Sequence, residues 1–110
     1  MATCLFCNIA KGFEKTEMVF EDERFLAFDD LFPKADHHLL VIPRTHYENL
    51  DEFVRADGDS DEMLAFVYRV ASQVGIAGGY RLMTNVGPEA GQAVPHLHWH
   101  LLAGTRVIGF

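Results

Sequence analysis

The 110 residues suit one compact domain, residues 1–110, and their 49% hydrophobic and 23% charged content is an ordinary globular balance. A net charge of −7 argues against a nucleic-acid polymer as partner, because such binding neutralises many phosphates with Lys and Arg; a small phosphorylated ligand stays open. No run approaches the roughly 20 apolar residues of a membrane span, and the N-terminus lacks the basic-then-apolar pattern of a secretory signal, so a cytoplasmic location is expected.

In chain order, residues 4–11 predict a short helix stopped by Gly12, with Leu5, Phe6 and Ile9 as its apolar stripe. Residues 18–21 and 24–29 predict two strands joined by a tight turn at Asp22 and Glu23. Pro33 opens a loop, and residues 38–43 read as a buried strand ended by Pro43. Leu50, Phe53 and Val54 mark a short helix that Asp57 and Gly58 end.

From Asp59 to Gly75 the helix signal is strong. Asp59 and Glu62 make an acidic variant of the capping box. Met63, Val67, Val70 and Val74 recur at helical spacing, with Leu64 and Ala71 beside them. Residues 80–86 then predict a strand, 87–91 a loop, and a final strand follows. This order indicates an α+β fold: a mostly antiparallel sheet with a short N-terminal helix and one long helix.

The final strand carries the chemistry. Residues 95–103 place His96, His98 and His100 at strict alternation, so the three imidazoles share one face while Leu97, Trp99 and Leu101 fill a core. Imidazole serves as base, acid, nucleophile or metal ligand, so the row is a catalytic ridge or a metal site. A purely structural strand would more usually mix Thr, Lys, Ser and Glu at the polar positions. Cys4 and Cys7 form a single C-x-x-C among only two cysteines, which makes a cytosolic disulfide unexpected; a structural zinc would need two histidines as well.

The run from His96 to Leu102 resembles the signature of the histidine-triad family of nucleotide-binding hydrolases and transferases. The similarity extends to residues 25–35 and 38–46 as the family's strand–loop–strand segment, to 91–94 as its phosphate loop and to 4–9 as its N-terminal helix. It implies a homodimer of α+β subunits with two nucleotide sites, and hydrolysis at an α-phosphorus through a covalent nucleotidyl-histidine. By position, His98 is the implied nucleophile, its far nitrogen donating to a fixed acceptor such as an adjacent carbonyl. His100 is placed to contact phosphate oxygens or the leaving group.

By the same resemblance, Gly91, Gln92 and Ala93 offer backbone N–H groups and the Gln92 amide to phosphate oxygens, and Asn85 contacts the ligand. Leu5, Phe6, Ile9, Phe28 and Leu31 match the base pocket, and Asp30 the carboxylate that accepts from the ribose hydroxyls. Family members with this helix motif hold zinc through residues matching Cys4, Cys7, His46 and His96. That assigns His96 to structure and His98 and His100 to chemistry, with His37 and His38 at a loop–strand boundary and no catalytic role.

Ala93 stands where the family's phosphoramidases often carry serine. Trp99 replaces an aliphatic residue but faces away from the chemistry, and residues 107–110 are expected to supply only in part the segment that reaches the neighbouring subunit's site in related dimers. The implied activity is hydrolysis of a nucleoside 5′-phosphoramidate, with a purine nucleotide as substrate. The alternatives are a dinucleoside polyphosphate hydrolase and a non-catalytic nucleotide- or zinc-binding interaction protein.

Overall fold

Strand residues that alternate between two separate cores explain why the middle of this sequence reads as unbroken apolar runs. The computed structural model describes residues 3–104. They form α1 (Leu5–Ala10), β1 (Phe20–Glu21), β2 (Phe25–Asp29), β3 (His37–Pro43), α2 (Leu50–Arg55), α3 (Ser60–Val74), β4 (Arg81–Met83), a 3-10 turn at Pro88–Ala90, and β5 (Trp99–Ala103). The strands build one antiparallel sheet in the order β1-β2-β3-β5-β4, the α+β arrangement the sequence predicts. Residues 107–110, expected to reach a neighbouring subunit, lie outside the described residues.

On one face of the sheet, Phe25, Ala27, Leu39, Val41 and Leu101 pack with Phe53 of α2 and Met63, Phe66, Val67 and Val70 of α3. On the other face, Leu26, Phe28, Leu40 and Ile42 pack with Phe6 and Ile9 of α1. The first face is covered by the longest helix; the second by only six residues of α1. The histidines lie beside that short helix.

Local chemistry fixes the ends of these elements. Asp22 accepts the Arg24 and Phe25 N–H groups, both at 2.8 Å, so an Asx turn does the work of the missing Asn-Gly hairpin signal. Asp59 caps α3 by accepting the Glu62 N–H at 3.0 Å. Glu62 does not return the bond; its carboxylate pairs with Arg24 at 3.1 Å. Gly75 ends α3 in the left-handed region at φ 81°, where a side chain is disfavoured.

Several expectations are corrected. Leu5, Val54 and Leu64, placed on apolar stripes, point outward, while Phe66 is fully buried and is the largest such side chain. Phe66 lies three residues after Met63 on the same helical face, and it meets Phe20 and Phe25 at ring centroid distances of 5.5 Å. The strand expected at 80–86 covers only Arg81–Met83. There the Thr84 hydroxyl donates to the His98 carbonyl at 2.7 Å, a side-chain bond beyond the end of the ladder. Replacing Phe66 by alanine is expected to cost about 3–5 kcal/mol. Thermal unfolding should then shift down by roughly 12 °C or more.

Candidate active site

The β5 ladder starts at Trp99, so of the three histidines only His100 stands in regular pairing, opposite Leu40 on β3 and Met83 on β4. His96 and His98 precede the strand in a run that the Leu97 N–H anchors to the Tyr47 carbonyl at 2.7 Å. The alternation persists all the same. Leu97 and Leu101 are fully buried in the core beneath α3, and Trp99 packs there with its indole N–H on the Met63 sulfur at 3.2 Å. The rings turn the other way. Phe6 stands edge-on to His96 and His98 at 5.9 and 5.1 Å, and His98 lies 5.1 Å from His100.

Hydrogen-bond partners assign the ring protons. His98 Nδ1 lies 2.8 Å from the His96 carbonyl, which can only accept. The proton is therefore on Nδ1, and in the neutral ring Nε2 carries the free lone pair. His100 is arranged in the opposite sense. The Lys34 backbone N–H donates to His38 Nδ1 at 3.0 Å, so His38 keeps its proton on Nε2. That N–H donates to His100 Nδ1 at 2.9 Å, with an Asp30 oxygen 3.4 Å from the same nitrogen. His100 must then hold its own proton on Nε2. One neighbour thus offers a nucleophilic lone pair and the other an N–H donor.

His38 stands beside His37 at the start of β3, as expected, and in addition it contacts His100. It is buried, and it shares the α1 face with Leu40 and Ile42, where the β3–β5 register sets it diagonally beside His100. Only His37 is an exposed boundary residue. Asp30 follows β2 as expected; one oxygen caps its own loop through the Phe32 N–H at 2.8 Å and the other faces His38.

Burial, reinforced by the His98 and His38 rings, pushes His100 down to about 4. Burial lowers His38 too, against the opposing pull of Asp30. An unfolded histidine takes up its proton near 6.5 and folded His100 only near 4, so the unfolded state binds more protons in between. This contribution to stability is whole above the unfolded value and is lost as pH falls through the folded one. Urea midpoints measured from about pH 7 to about pH 4 should decline, and the decline should shrink in His100→Asn.

The phosphate loop is built differently from the expectation. Gln92 does not aim its amide outward: Oε1 accepts the Gly87 N–H at 2.8 Å, and Nε2 donates to the Glu48 and Val94 carbonyls at 2.7 and 3.0 Å. The backbone N–H groups of Gly91 and Gln92 close the loop on Pro88 and Gly87. Asn85 braces the same loop, its Nδ2 donating to the Ala90 carbonyl at 2.7 Å. These side chains therefore shape the loop from behind. Of the base-pocket residues, Phe6, Ile9 and Phe28 are buried together, whereas Leu5 is 43% and Leu31 87% exposed, which leaves both outside the packed cluster. A hollow of about 390 Å³, lined in part by Cys4, Leu5, His46, Glu48, Ala93 and Val94, opens beside the loop; His98 and His100 do not line it.

Cys4, Cys7, His46 and His96 converge, one donor atom from each lying within 4.8 Å of the others. Tetrahedral zinc spaces its ligands about 3.5 Å apart. His96 Nδ1 is 3.3 Å from the Cys4 sulfur and 3.5 Å from that of Cys7, and His46 Nδ1 is 3.2 Å from Cys7. The His96 tautomer suits a metal: Nε2 donates to the Pro43 carbonyl at 2.9 Å, which leaves the Nδ1 lone pair facing both sulfurs. Burial and the neighbouring Cys4 push the Cys7 thiol up to about 11, a shift that a cation among these donors would reverse. Asp30, His38 and His100 also cluster. There the bond from Lys34 occupies His38 Nδ1, so Nε2 keeps its hydrogen and has no lone pair to give. The donor chemistry fits zinc at the first cluster and not at the second.

Comparisons with known proteins show the fold and the family. The family model for the HIT domain matches residues 11–107. An uncharacterised HIT-like protein of Chlamydia trachomatis serovar D is 42% identical over 106 residues, covering 93% of each chain. Among solved structures, a histidine triad protein from Clostridium difficile aligns with TM-score 0.86 at 34% identity over 100% of this chain and 97% of that one. A HIT family hydrolase from Legionella pneumophila aligns with TM-score 0.84 at 37% identity over 96% of each. With the family model spanning most of the sequence and His96, His98 and His100 set as described, the chain belongs to the histidine-triad family.

Proposed function

We propose that the protein hydrolyses nucleoside 5′-phosphoramidates, with a purine nucleotide as substrate, through a covalent nucleotidyl intermediate on His98. The observation that carries this reading is the opposite tautomers of two adjacent rings: a lone pair on His98 Nε2 and a hydrogen on His100 Nε2. In the first step the His98 lone pair attacks the α-phosphorus and the P–N bond breaks; the His100 Nε2–H hydrogen-bonds the leaving nitrogen, which takes its proton from a water and leaves hydroxide. That hydroxide then attacks the same phosphorus, and the bond to His98 breaks with its electron pair returning to Nε2. The solved HIT family hydrolase from Legionella pneumophila supports a hydrolytic outcome by likeness.

Mixing the protein with an adenosine phosphoramidate, quenching in the first turnovers and measuring intact mass should reveal an adenylyl adduct on the His98 peptide. An adduct elsewhere, or hydrolysis with no adduct, refutes the intermediate. His38 is a positioning residue in this scheme. In His38→Ala, kcat should fall by about 10–100-fold with KM little changed. Nitrogen NMR should then find the His100 ring proton on both nitrogens rather than on one.

A second reading, dinucleoside polyphosphate cleavage, is favoured by one feature. Lys34 lies in the loop joining Asp30 to His38, its ammonium donates to the Phe32 carbonyl at 3.3 Å, and it has no carboxylate partner among the described residues. A free cation there suits an anionic leaving group, and Ala93 offers no hydroxyl to a leaving amine. Faster turnover of diadenosine tetraphosphate than of any phosphoramidate would select this reading.

Cys4, Cys7, His46 and His96 would hold a zinc ion, which supplies a structural tie between α1, the end of β3 and the triad. The same reading includes a homodimer. Large apolar side chains left exposed at Leu64 and Tyr68 on α3 and at Met83 on β4 are suited to a second copy.

A further inference from the structure

We propose that Cys4 and Cys7 are an oxidisable pair whose disulfide disarms the nucleophile through His96; this rests on the roles given above to His98 and to the cysteine–histidine cluster. Three observations support it. The first is access. Cys4 is partly exposed at the wall of the hollow beside His46 and Ala93, while Cys7 is buried behind it. An oxidant therefore meets one sulfur with its partner waiting, and the chain has no third cysteine to compete.

The second is proximity. Cys4 is the N-cap of α1, and the Cys7 backbone N–H donates to its sulfur at 3.3 Å. This is the C-x-x-C spacing that disulfide oxidoreductases bridge at the start of a helix. Disulfides are rare in reducing compartments except where they are transient and redox-sensing, which is the role assigned here.

The third is a continuous path to the chemistry. Both sulfurs sit on His96 Nδ1, at 3.3 and 3.5 Å. The His96 ring is held from its far side by the Pro43 carbonyl at 2.9 Å, and its own carbonyl takes the His98 Nδ1–H at 2.8 Å. Phe6, which lies between the two cysteines in sequence, stands edge-on to both His96 and His98. Joining the sulfurs removes two neighbours of the His96 ring and moves the backbone that carries Phe6. The carbonyl that fixes the His98 tautomer shifts with them.

With hydrogen peroxide as oxidant the step balances. The Cys4 thiolate attacks one peroxide oxygen; an S–O bond forms, the O–O bond breaks, and hydroxide leaves. The Cys7 thiolate then attacks the Cys4 sulfur, the S–O bond breaks, and a second hydroxide leaves. Two thiolates lose two electrons, and one peroxide becomes two hydroxide ions, whose charge balances the zinc set free. The disulfide no longer supplies thiolates, so His46 and His96 alone remain as donors and bound zinc is released.

The test uses the purified full chain, treated with a small excess of peroxide that is then removed. Intact mass should fall by about 2 Da, located in the peptide holding Cys4 and Cys7. A zinc indicator should register release of metal, and kcat/KM should drop at least about tenfold. Dithiothreitol and added zinc should restore all three, which would not reverse methionine oxidation. An oxidised chain that keeps full turnover overturns the coupling; sulfinic acid or disulfide-linked dimers in place of the internal bridge overturn the pairing. Should the reduced chain turn over no nucleotide, the enzymatic reading fails on its own. Nitrogen NMR of the His98 ring then decides the coupling: loss of the fixed Nδ1–H on oxidation supports it, and an unchanged ring refutes it.

Discussion

His98→Ala should lower turnover of a nucleoside phosphoramidate by at least about 10⁴-fold, because the mutation deletes the atom that forms the covalent bond rather than one that assists it. The ring is 7% exposed, so its loss also has a structural cost. The His96 carbonyl loses its only side-chain donor among the described residues, a penalty of about 1–3 kcal/mol for a buried acceptor. His98→Asn separates the two effects, since its amide can still donate to that carbonyl while offering no nucleophile. Both variants should therefore be inactive, with the asparagine variant melting closer to the parent. Turnover within tenfold of the parent in a folded variant would rule out a covalent role for His98.

The second large effect concerns the cysteine–histidine cluster. Cys7→Ser should reduce bound zinc from about one per chain to a small fraction of that, because a buried hydroxyl is a poor substitute for a thiolate ligand. Metal binding of this kind stabilises the folded state directly. A loss of even about 3 kcal/mol would lower the melting temperature by roughly 12–24 °C in a domain of this size. Dialysis of the parent against a strong chelator should reproduce the shift, and zinc should reverse it in the parent only. Equal melting temperatures with and without chelator would refute a structural metal. His46→Ala should be milder than Cys7→Ser, since His46 is the exposed donor of the four.

Much of this arrangement is legible in the sequence, because period-two alternation is a local property. His96, His98 and His100 fall on one side and Leu97 and Leu101 on the other for reasons confined to nine consecutive residues. The grouping of Cys4 and Cys7 with His46 and His96 is implied by the family resemblance and not by spacing, and the four donors do converge. What escaped is non-local. His38 meets His100 across 62 residues of sequence, through an antiparallel register that no spacing rule supplies. Its one local clue is that it keeps step with Leu40 and Ile42, the inward side of a buried strand. Gln92 is similar: its amide turns inward because the Glu48 carbonyl, 44 residues away, is within reach. Phe66 is hidden in the sequence pattern because the valine stripe already satisfies the helical period, although a residue three places after Met63 shares its face.

The strand carrying His100 is the last of the five in chain order, yet it lies inside the sheet, with β3 on one side and β4 on the other. During synthesis β3 and β4 therefore emerge with open edges that no earlier segment can close, and α3 has only part of its floor. A ribosome must deliver the triad before the sheet can complete itself, so a nascent chain halted short of it would expose two unpaired edges prone to sticking to other chains. Catalytic competence and escape from aggregation are thus gained in the same folding event.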